Sequence, residues 1–211
     1  VKEIFLSLQG ESGSQGLPTV FIRTSGCDLR CSWCDTAYAY TGGEEMTPGE
    51  VEGRVRAFGV RRACLTGGEP LLQPREEIQE LLDRLGEFEL SIETGGHRPL
   101  HPYRLAPGHR WVMDLKCPSS GMSGRMCWDN LEVLRPRDEV KFVVADRRDY
   151  LWARETISRH RLPERCRVLL SPVHGVLQPA ELAGWMLKDR LEARLQLQLH
   201  KLLWGEGARG R

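Results

Sequence analysis

The sequence predicts an α/β fold: a partial, open parallel β/α barrel with about six core strands and fewer helices than a full barrel. Three observations point to it. Short apolar, β-branched runs recur along the chain. Segments with apolar residues at helical spacing fall between several of them. Polar and reactive residues gather just after the runs, as at Thr66 to Glu69 and Glu93-Thr94-Gly95. Strands alternating with helices imply βαβ units and a parallel sheet, and the carboxyl ends of such strands form the functional face.

Taken in order, Val1 to Phe5 reads as a strand, and Pro18 to Arg23 as a second that ends at a cysteine cluster. The segment after Cys34 lacks a helical pattern, so a loop is expected in place of the first crossover helix. Thr47-Pro48-Gly49-Glu50 nevertheless opens a helix, with Thr as cap, Pro at the first helical position and Glu three residues after the cap; Val51, Val55 and Phe58 follow at helical spacing. Val60 to Leu65 is a strand stopped by Thr66-Gly67-Gly68-Glu69-Pro70. Ile78, Leu81, Leu82 and Leu85 mark a helix after Pro74, closed by Gly86. Strands follow at Glu89 to Ile92, Trp111 to Leu115, Val140 to Val144, Val168 to Leu170 and Leu195 to Leu199. Tyr150, Leu151, Ala153, Ile157 and His160 predict a third helix; Gln178-Pro179 opens a fourth, carrying Leu182, Trp185, Met186 and Leu191. Between Gly95 and Arg110, and between Pro118 and Arg137, Pro and Gly are too frequent for a long helix.

The chain has 211 residues, enough for one domain, expected to span 1–211 with a polar tail at about 205–211. Lys and Arg (30) nearly balance Asp and Glu (29), which argues against a sequence-independent nucleic-acid binder. No apolar run approaches the ~20 residues that span a bilayer. No charged-then-apolar leader opens the chain, and a start at Val1 is expected of a trimmed terminus. The expected compartment is the cytoplasm, with no membrane and no nucleic acid as partner.

Seven cysteines are many for a cytosolic chain, and Cys27, Cys31 and Cys34 fall together as C-x3-C-x2-C. Three thiolates on one loop can surround a soft metal centre. Structural zinc takes four ligands, and a fourth at finger spacing is missing, so a zinc loop would need a distant residue to complete it. A [4Fe-4S] cube normally takes four thiolates. With three, one iron is left open to an outside ligand, which suits a cluster whose open iron does chemistry. Cys64, Cys117, Cys127 and Cys166 are expected to be small core residues, with Cys117 nearest the site. Read alone, Gly67-Gly68-Glu69-Pro70 is either a strand-to-helix turn or a place where glycines let a ligand approach the backbone.

Cys27-x3-Cys31-x2-Cys34 with Trp33 before the last cysteine, followed by Gly67-Gly68-Glu69-Pro70, resembles the radical S-adenosylmethionine superfamily. A longer set of segments resembles its 7-carboxy-7-deazaguanine synthase family. These are Glu3 to Glu11, Phe21-Ile22-Arg23, Trp33-Cys34-Asp35-Thr36, Glu93-Thr94, Asp114 to Gly121, Lys141-Phe142-Val143 and Leu197 to Lys201, nearly the whole chain. The resemblance implies a barrel of the radical SAM type. It also implies a lyase that uses a 5′-deoxyadenosyl radical to contract 6-carboxy-5,6,7,8-tetrahydropterin to 7-carboxy-7-deazaguanine, with loss of ammonia, for queuosine and other 7-deazapurines. A [4Fe-4S] cluster, S-adenosylmethionine and Mg2+ are the implied cofactors. A pterin, an electron donor such as flavodoxin or ferredoxin, and a second copy in a homodimer are the implied partners.

Position by position, the resemblance gives Cys27, Cys31 and Cys34 to the cluster and Thr36 to Mg2+, whose hard oxygen ligands a hydroxyl suits. Arg23 would grip the substrate carboxylate as a planar bidentate donor. Leu8, Gln9, Gly10 and Glu11 would read the pterin edge, with Thr66 and His200 as further substrate contacts. Trp33, Asp35, Gly68, Thr94, Lys116, Cys117, Pro118 and Lys141 would bind S-adenosylmethionine. No side chain is expected to be catalytic in its own right. The residues taken singly leave other roles open: Thr36 as a helix cap, Arg23 as a strand-end arginine, His200 as a structural histidine.

The chain departs from the family in its glycine-rich tail beyond Lys201, and the Asp114 to Gly121 segment varies among family branches. Two other functions fit the cysteine motif. One is an activase that oxidises a glycine in a partner protein; the other is a zinc-binding interaction module. Gln9-Gly10-Glu11, Arg23 and Thr36 favour a small-molecule pocket over both.

Overall fold

The computed structural model of the protein describes residues 1–205, 207, 209 and 210; Glu206, Ala208 and Arg211 of the expected tail lie outside them. One sheet holds eight strands: β1 (Glu3–Leu8), β2 (Pro18–Thr24), β3 (Arg62–Gly67), β4 (Glu89–Thr94), β5 (Arg110–Asp114), β6 (Glu139–Val144), β7 (Arg167–Pro172) and β8 (Arg194–Leu195). They lie in chain order, with β1 antiparallel to β2 and every later pair parallel. β1 and β8 are the two edges, so the barrel is open, as expected. Strands added always on the same side, through right-handed crossovers, leave the helices on one face and free the other.

Side-chain alternation along the strands separates the two faces. Val20 and Ile22, Ala63 and Leu65, Leu90 and Ile92, Trp111 and Met113, and Val140, Phe142 and Val144 belong to one continuous apolar core. Their alternates Phe21, Arg23, Thr66, Glu93, Val112, Asp114, Lys141 and Val143 line a cavity. A buried parallel strand is usually apolar on both faces; here the charged alternates mark the face that binds.

The covering helices are α1 (Pro48–Ala57), α2 (Arg75–Arg84), α3 (Arg147–Arg159), α4 (Leu162–Arg165) and α5 (Pro179–Asp189), with a short α6 (Leu199–Trp204) after the last strand. Val51 and Val55 of α1, Ile78 and Leu82 of α2, Tyr150 and Ile157 of α3, and Leu182 of α5 reach the core. Each fully buried Leu or Ile contributes roughly 1.5–3 kcal/mol. The expected capping box starts α1: Thr47 Oγ1 accepts from Glu50 N (3.3 Å) and Glu50 Oε2 accepts from Thr47 N (2.7 Å). Pro and Gly keep 95–109 free of helix, and only short 3-10 turns lie between β5 and β6. Among the described residues no helix is long and apolar enough to cross a membrane.

As expected, no α-helix follows Cys34 before Thr47, only a 3-10 turn at Ala37–Ala39, and α1 starts at the capping box. Three expectations change. Val60 follows the turn at Gly59 (φ 68°) and packs on the core, so β3 starts at Arg62. α5 ends at Asp189 because Arg190 turns left-handed (φ 50°), leaving Leu191 beyond the helix but still against the core. The strand expected over Leu195 to Leu199 is cut short. After Gln196 N bonds Leu170 O (2.8 Å), the chain leaves β7 and docks on the N-terminal segment. Buried Gln196 donates to Ser12 O (3.0 Å), and Leu199 N bonds Gly10 O (3.0 Å) as α6 begins.

Candidate functional site

The strand ends surround a cavity of about 520 Å3, within the range of small-molecule sites. The loop after β2 brings Cys27, Cys31 and Cys34 to its wall, and none of the three is in a disulfide. The loop is pinned between its cysteines. Leu29 is a buried plug. Ser32 N bonds Ser120 O and Ser32 Oγ donates to Ser119 O, both at 3.1 Å. Burial pushes the Cys27 and Cys31 thiols up, Cys31 despite Lys116 nearby. Burial and a hydrogen bond to the Cys34 sulfur push the Tyr40 phenol up. Among the described residues no fourth cysteine lines the cavity, and no three His, Cys, Asp or Glu side chains are arranged to hold a single ion. The donor set fits a larger sulfur-ligated group with one side left to the cavity.

The glycine-rich turn after β3 lies directly against this loop. Gly68 N bonds Thr24 O (3.1 Å) and Glu69 N bonds Gly26 O (2.7 Å). A Cβ on Gly68 would fall 2.0 Å from Gly26 O, backbone against backbone. Gly68→Ala is therefore expected to cost at least about 1–3 kcal/mol, the range for overpacking, and to push the turn off the cysteine loop. Lower thermal stability with reduced iron uptake would show it; an alanine variant with normal values of both would contradict the close approach. The Glu69 carboxylate lines the cavity but is fully engaged by the protein. It accepts from Leu71 N (3.0 Å), Thr94 Oγ1 (2.9 Å) and Gly95 N (2.7 Å). Thr94, expected at the cofactor, lines the cavity but spends its hydroxyl on Glu69.

A charged network forms the cavity floor. Lys141 Nζ lies 2.6 Å from Glu11 Oε2 and 3.4 Å from Asp114 Oδ1; Lys116 Nζ lies 2.5 Å from Asp114 Oδ2. Gln198 Nε2 donates to Glu11 Oε1 (2.8 Å). Burial opposes both carboxylates, but the lysines hold Glu11 and Asp114 below their ordinary range. Burial also works against Lys141, yet Asp114, Glu11 and Glu93 raise it well above its usual value. Carboxylates depressed in the folded state stabilise it above their unfolded pKa of roughly 4, and lose that contribution as pH falls through the folded value; the raised lysine contributes below its unfolded pKa of about 10.4. The network is thus at full strength between about pH 5 and 9. Lys141→Met should cost about 2–3 kcal/mol at pH 7. That is less than the roughly 3–5 of a fully buried pair, because Lys141 and Glu11 keep 11% and 13% exposure. The deficit should shrink at pH 5, where the stranded carboxylates take up protons on folding. Urea unfolding at the two pH values checks this; an equal deficit at both would contradict it.

At the β1–β2 end, Arg23 Nε donates to Glu3 Oε1 (2.7 Å), which also accepts from Tyr38 OH (2.6 Å). The guanidinium lies 5.9 Å from the Phe5 ring centroid and 5.8 Å from that of Tyr38. Its Nη groups make no hydrogen bond among the described residues, so a planar fork faces the cavity. Thr36 stands at the N-cap of the 3-10 turn without making a cap bond; its hydroxyl donates to Asp35 Oδ1 (2.8 Å). Burial opposes Asp35, yet Lys201, 3.3 Å away, and the Thr36 bond keep its carboxyl low. Opposite, a Cβ on Gly10 would lie 2.1 Å from His200 Nδ1, so a glycine is needed where α6 meets the N-terminal segment.

The structure brings nearly all the expected site residues to one cavity: Leu8, Gln9, Gly10, Glu11, Arg23, Cys27, Cys31, Trp33, Cys34, Asp35, Thr36, Thr66, Gly68, Thr94, Lys116, Lys141 and His200. Cys117 and Pro118 stand apart. The Cys117 side chain is fully buried in the apolar core, and Pro118 begins a 3-10 turn off the lining. Several lining residues were not expected. Glu93 accepts from Gln9 Nε2 (3.2 Å) and Thr66 Oγ1 (2.9 Å). Glu93 and Asp114 are polar residues in strands that are otherwise buried, a period-2 signal present in the sequence. Tyr38 and Tyr40 lie in a segment without periodicity, where no such signal exists, and Gln198 lies in a run whose alternation reads as a strand and gives no sign of a site.

The profile described as the Radical SAM superfamily matches residues 21–116. The chain is 44% identical over 215 positions to the 7-carboxy-7-deazaguanine synthase of Chlorobaculum tepidum, covering 100% of this chain and 96% of the relative. It is 39% identical over 228 positions to that of Koribacter versatilis, covering 100% and 99%. Among solved structures, QueE from Escherichia coli superposes with a TM-score of 0.76 at 23% identity, over 95% of this chain and 93% of that one, a likeness of fold.

Proposed function

The chain belongs to the 7-carboxy-7-deazaguanine synthase family of radical S-adenosylmethionine enzymes, and from that premise we propose that it contracts the ring of 6-carboxy-5,6,7,8-tetrahydropterin to 7-carboxy-7-deazaguanine, releasing ammonia, as a lyase of 7-deazapurine biosynthesis. The observation that carries this reading is the convergence, in one cavity, of three cysteines, a glycine turn and a forked cation. Cys27, Cys31, Cys34 and Arg23 all line it.

The residues divide the work by chemistry. Cys27, Cys31 and Cys34 hold the cluster, and the turn at Gly67-Gly68 offers backbone to the methionine end of S-adenosylmethionine, where only glycine fits. The chemistry that the cluster and S-adenosylmethionine would supply there is abstraction of a hydrogen atom from the substrate. Arg23, aimed by Glu3, binds the substrate carboxylate through its Nη groups. Gln9 and Glu93 present amide and carboxylate oxygens to the pterin edge, with Thr66 holding Glu93 in place. Lys141 keeps Glu11 ionised, so that Glu11 can accept from a ring N–H. Thr36 would give one hard oxygen to Mg2+ while its hydroxyl hydrogen stays on Asp35; substrate and water would supply the other ligands. Low-potential electrons come from a donor such as flavodoxin or ferredoxin. One domain carries the whole site, acting as a cytoplasmic homodimer.

The test is anaerobic incubation of iron-reconstituted protein with the carboxypterin, S-adenosylmethionine, Mg2+ and dithionite. The reading expects 7-carboxy-7-deazaguanine and ammonia in equal amounts. Unchanged substrate alongside a reduced, S-adenosylmethionine-binding cluster would overturn it.

A further inference from the structure

His97, two residues after Gly95, is not part of the cavity wall, yet it stands between the two halves of the cofactor site. Its side chain is 2% exposed. Asp28 follows Cys27 in the cysteine loop, and His97 Nε2 lies 2.6 Å from Asp28 Oδ1. The other ring nitrogen, Nδ1, lies 3.6 Å from Glu69 Oε2 and has no hydrogen-bond partner. Glu69 belongs to the glycine-rich turn and is itself held by Thr94 and Gly95 at the end of β4. Asp28 Oδ2 accepts from Arg98 Nη2 (2.8 Å) and Arg125 Nη2 (3.3 Å). An acceptor-only carboxylate places the proton on His97 Nε2. The packing is tight: a Cβ on Gly95 would lie 3.0 Å from Leu29 Cδ1, 3.1 Å from His97 Nδ1 and 3.2 Å from Glu69 Oε2.

We propose that His97 is a positioning residue, one that locks the cysteine loop through Asp28 to the end of β4, which Thr94 and Gly95 tie in turn to Glu69 of the glycine-rich turn, so that the two halves of the cofactor site keep one relative placement. The proposal rests on the functional reading above. Arg98 and Arg125 also bind Asp28, but their side chains are 39% and 54% exposed, whereas the His97 bond is buried beside Leu29 and Gly95. Outer-shell partners that orient metal ligands typically change affinity or activity by about 10–100-fold when removed, which sets the size of effect expected.

The test compares His97→Leu, which keeps apolar bulk but cannot donate, with His97→Gln, whose amide can. In the iron-free full chain, amide exchange over residues 27–34 should quicken by about 10-fold in H97L and by less than about 3-fold in H97Q, with exchange in β3 and β4 unchanged. In the reconstituted holoenzyme, H97L should raise the KM for S-adenosylmethionine by about 10-fold while the KM for the carboxypterin moves by less than about 2-fold. The change that S-adenosylmethionine produces in the electron paramagnetic resonance of the reduced cluster should diminish. H97Q should restore all of these in large part. Normal loop exchange with a normal KM in H97L overturns the lock. So does faster exchange spread evenly through the core, the mark of a general loss of stability. If the unaltered holoenzyme fails to convert the pterin, the functional reading falls, while the exchange measurement still decides for or against the lock.

Discussion

Replacing Cys31 with alanine is expected to leave the reconstituted protein without a stable cluster and to take turnover to the limit of detection. The three cavity thiols have no fourth cysteine beside them among the described residues, so no reserve thiolate stands on the wall. Cys31 also has Lys116 as a nearby cation. Without the thiolate, that charge would face a cavity that already holds Lys141. Cys166→Ala is the matched control. Cys166 is buried near the β6 and β7 starts, its thiol pushed up to about 12 mainly by burial, and it touches nothing in the cavity. Its loss should cost about 1 kcal/mol of stability, as a small core truncation does, with iron content and activity kept. Iron analysis and the visible spectrum of the two variants decide the matter. A Cys31→Ala protein as brown as the unaltered chain would remove the basis of the account.

Arg23→Gln is expected to lower kcat/KM for the carboxypterin by roughly 30–1000-fold, equivalent to about 2–4 kcal/mol for losing a charged, forked contact in a partly desolvated site. Arg23 is held from three sides: Glu3 fixes Nε at 2.7 Å, and Phe5 and Tyr38 flank the guanidinium. It therefore meets a carboxylate with little entropy left to lose. Arg23→Lys keeps the charge but not the fork, and should fall between. Glu3→Gln should weaken substrate binding more mildly, through loss of aim. Binding of S-adenosylmethionine should be unchanged in all three. Steady-state kinetics in the pterin, with titration of S-adenosylmethionine alongside, separates these outcomes. An equal loss toward both ligands would mean that Arg23 supports the fold rather than the substrate.

The parts of this structure that were readable from sequence share a physical cause. The apolar, β-branched runs of Pro18 to Arg23 and Val140 to Val144, and capping chemistry at Thr47-Pro48-Gly49-Glu50, are local signals, and β2, β6 and α1 follow them. The cysteine spacing and the glycine turn are local too, and both reach the cavity. What was not readable depends on contacts far apart in the chain. Leu195 to Leu199 alternates like a strand, but the strand is cut short because Gln196 reaches Ser12 and Gln198 reaches Glu11, which only the folded chain brings near. Cys117 adjoins the site in sequence, yet the 3-10 turn that begins at Pro118 leaves its sulfur in the core. Glu69 sits in the glycine-rich motif but is consumed by the end of β4. His97 carries no motif at all; its place emerges only when the loops after β2, β3 and β4 are seen side by side.

The central claim is that three sulfurs hold a cluster whose vacant corner takes S-adenosylmethionine, beside a pterin gripped by Arg23. An anaerobic crystal structure with S-adenosylmethionine and the carboxypterin bound tests it most directly. The account predicts iron ligated by Cys27, Cys31 and Cys34 alone, the fourth iron met by the amino and carboxylate groups of S-adenosylmethionine, and the pterin carboxylate on the Nη atoms of Arg23. A fourth protein ligand on the cluster, or a pterin carboxylate turned away from Arg23, would contradict it.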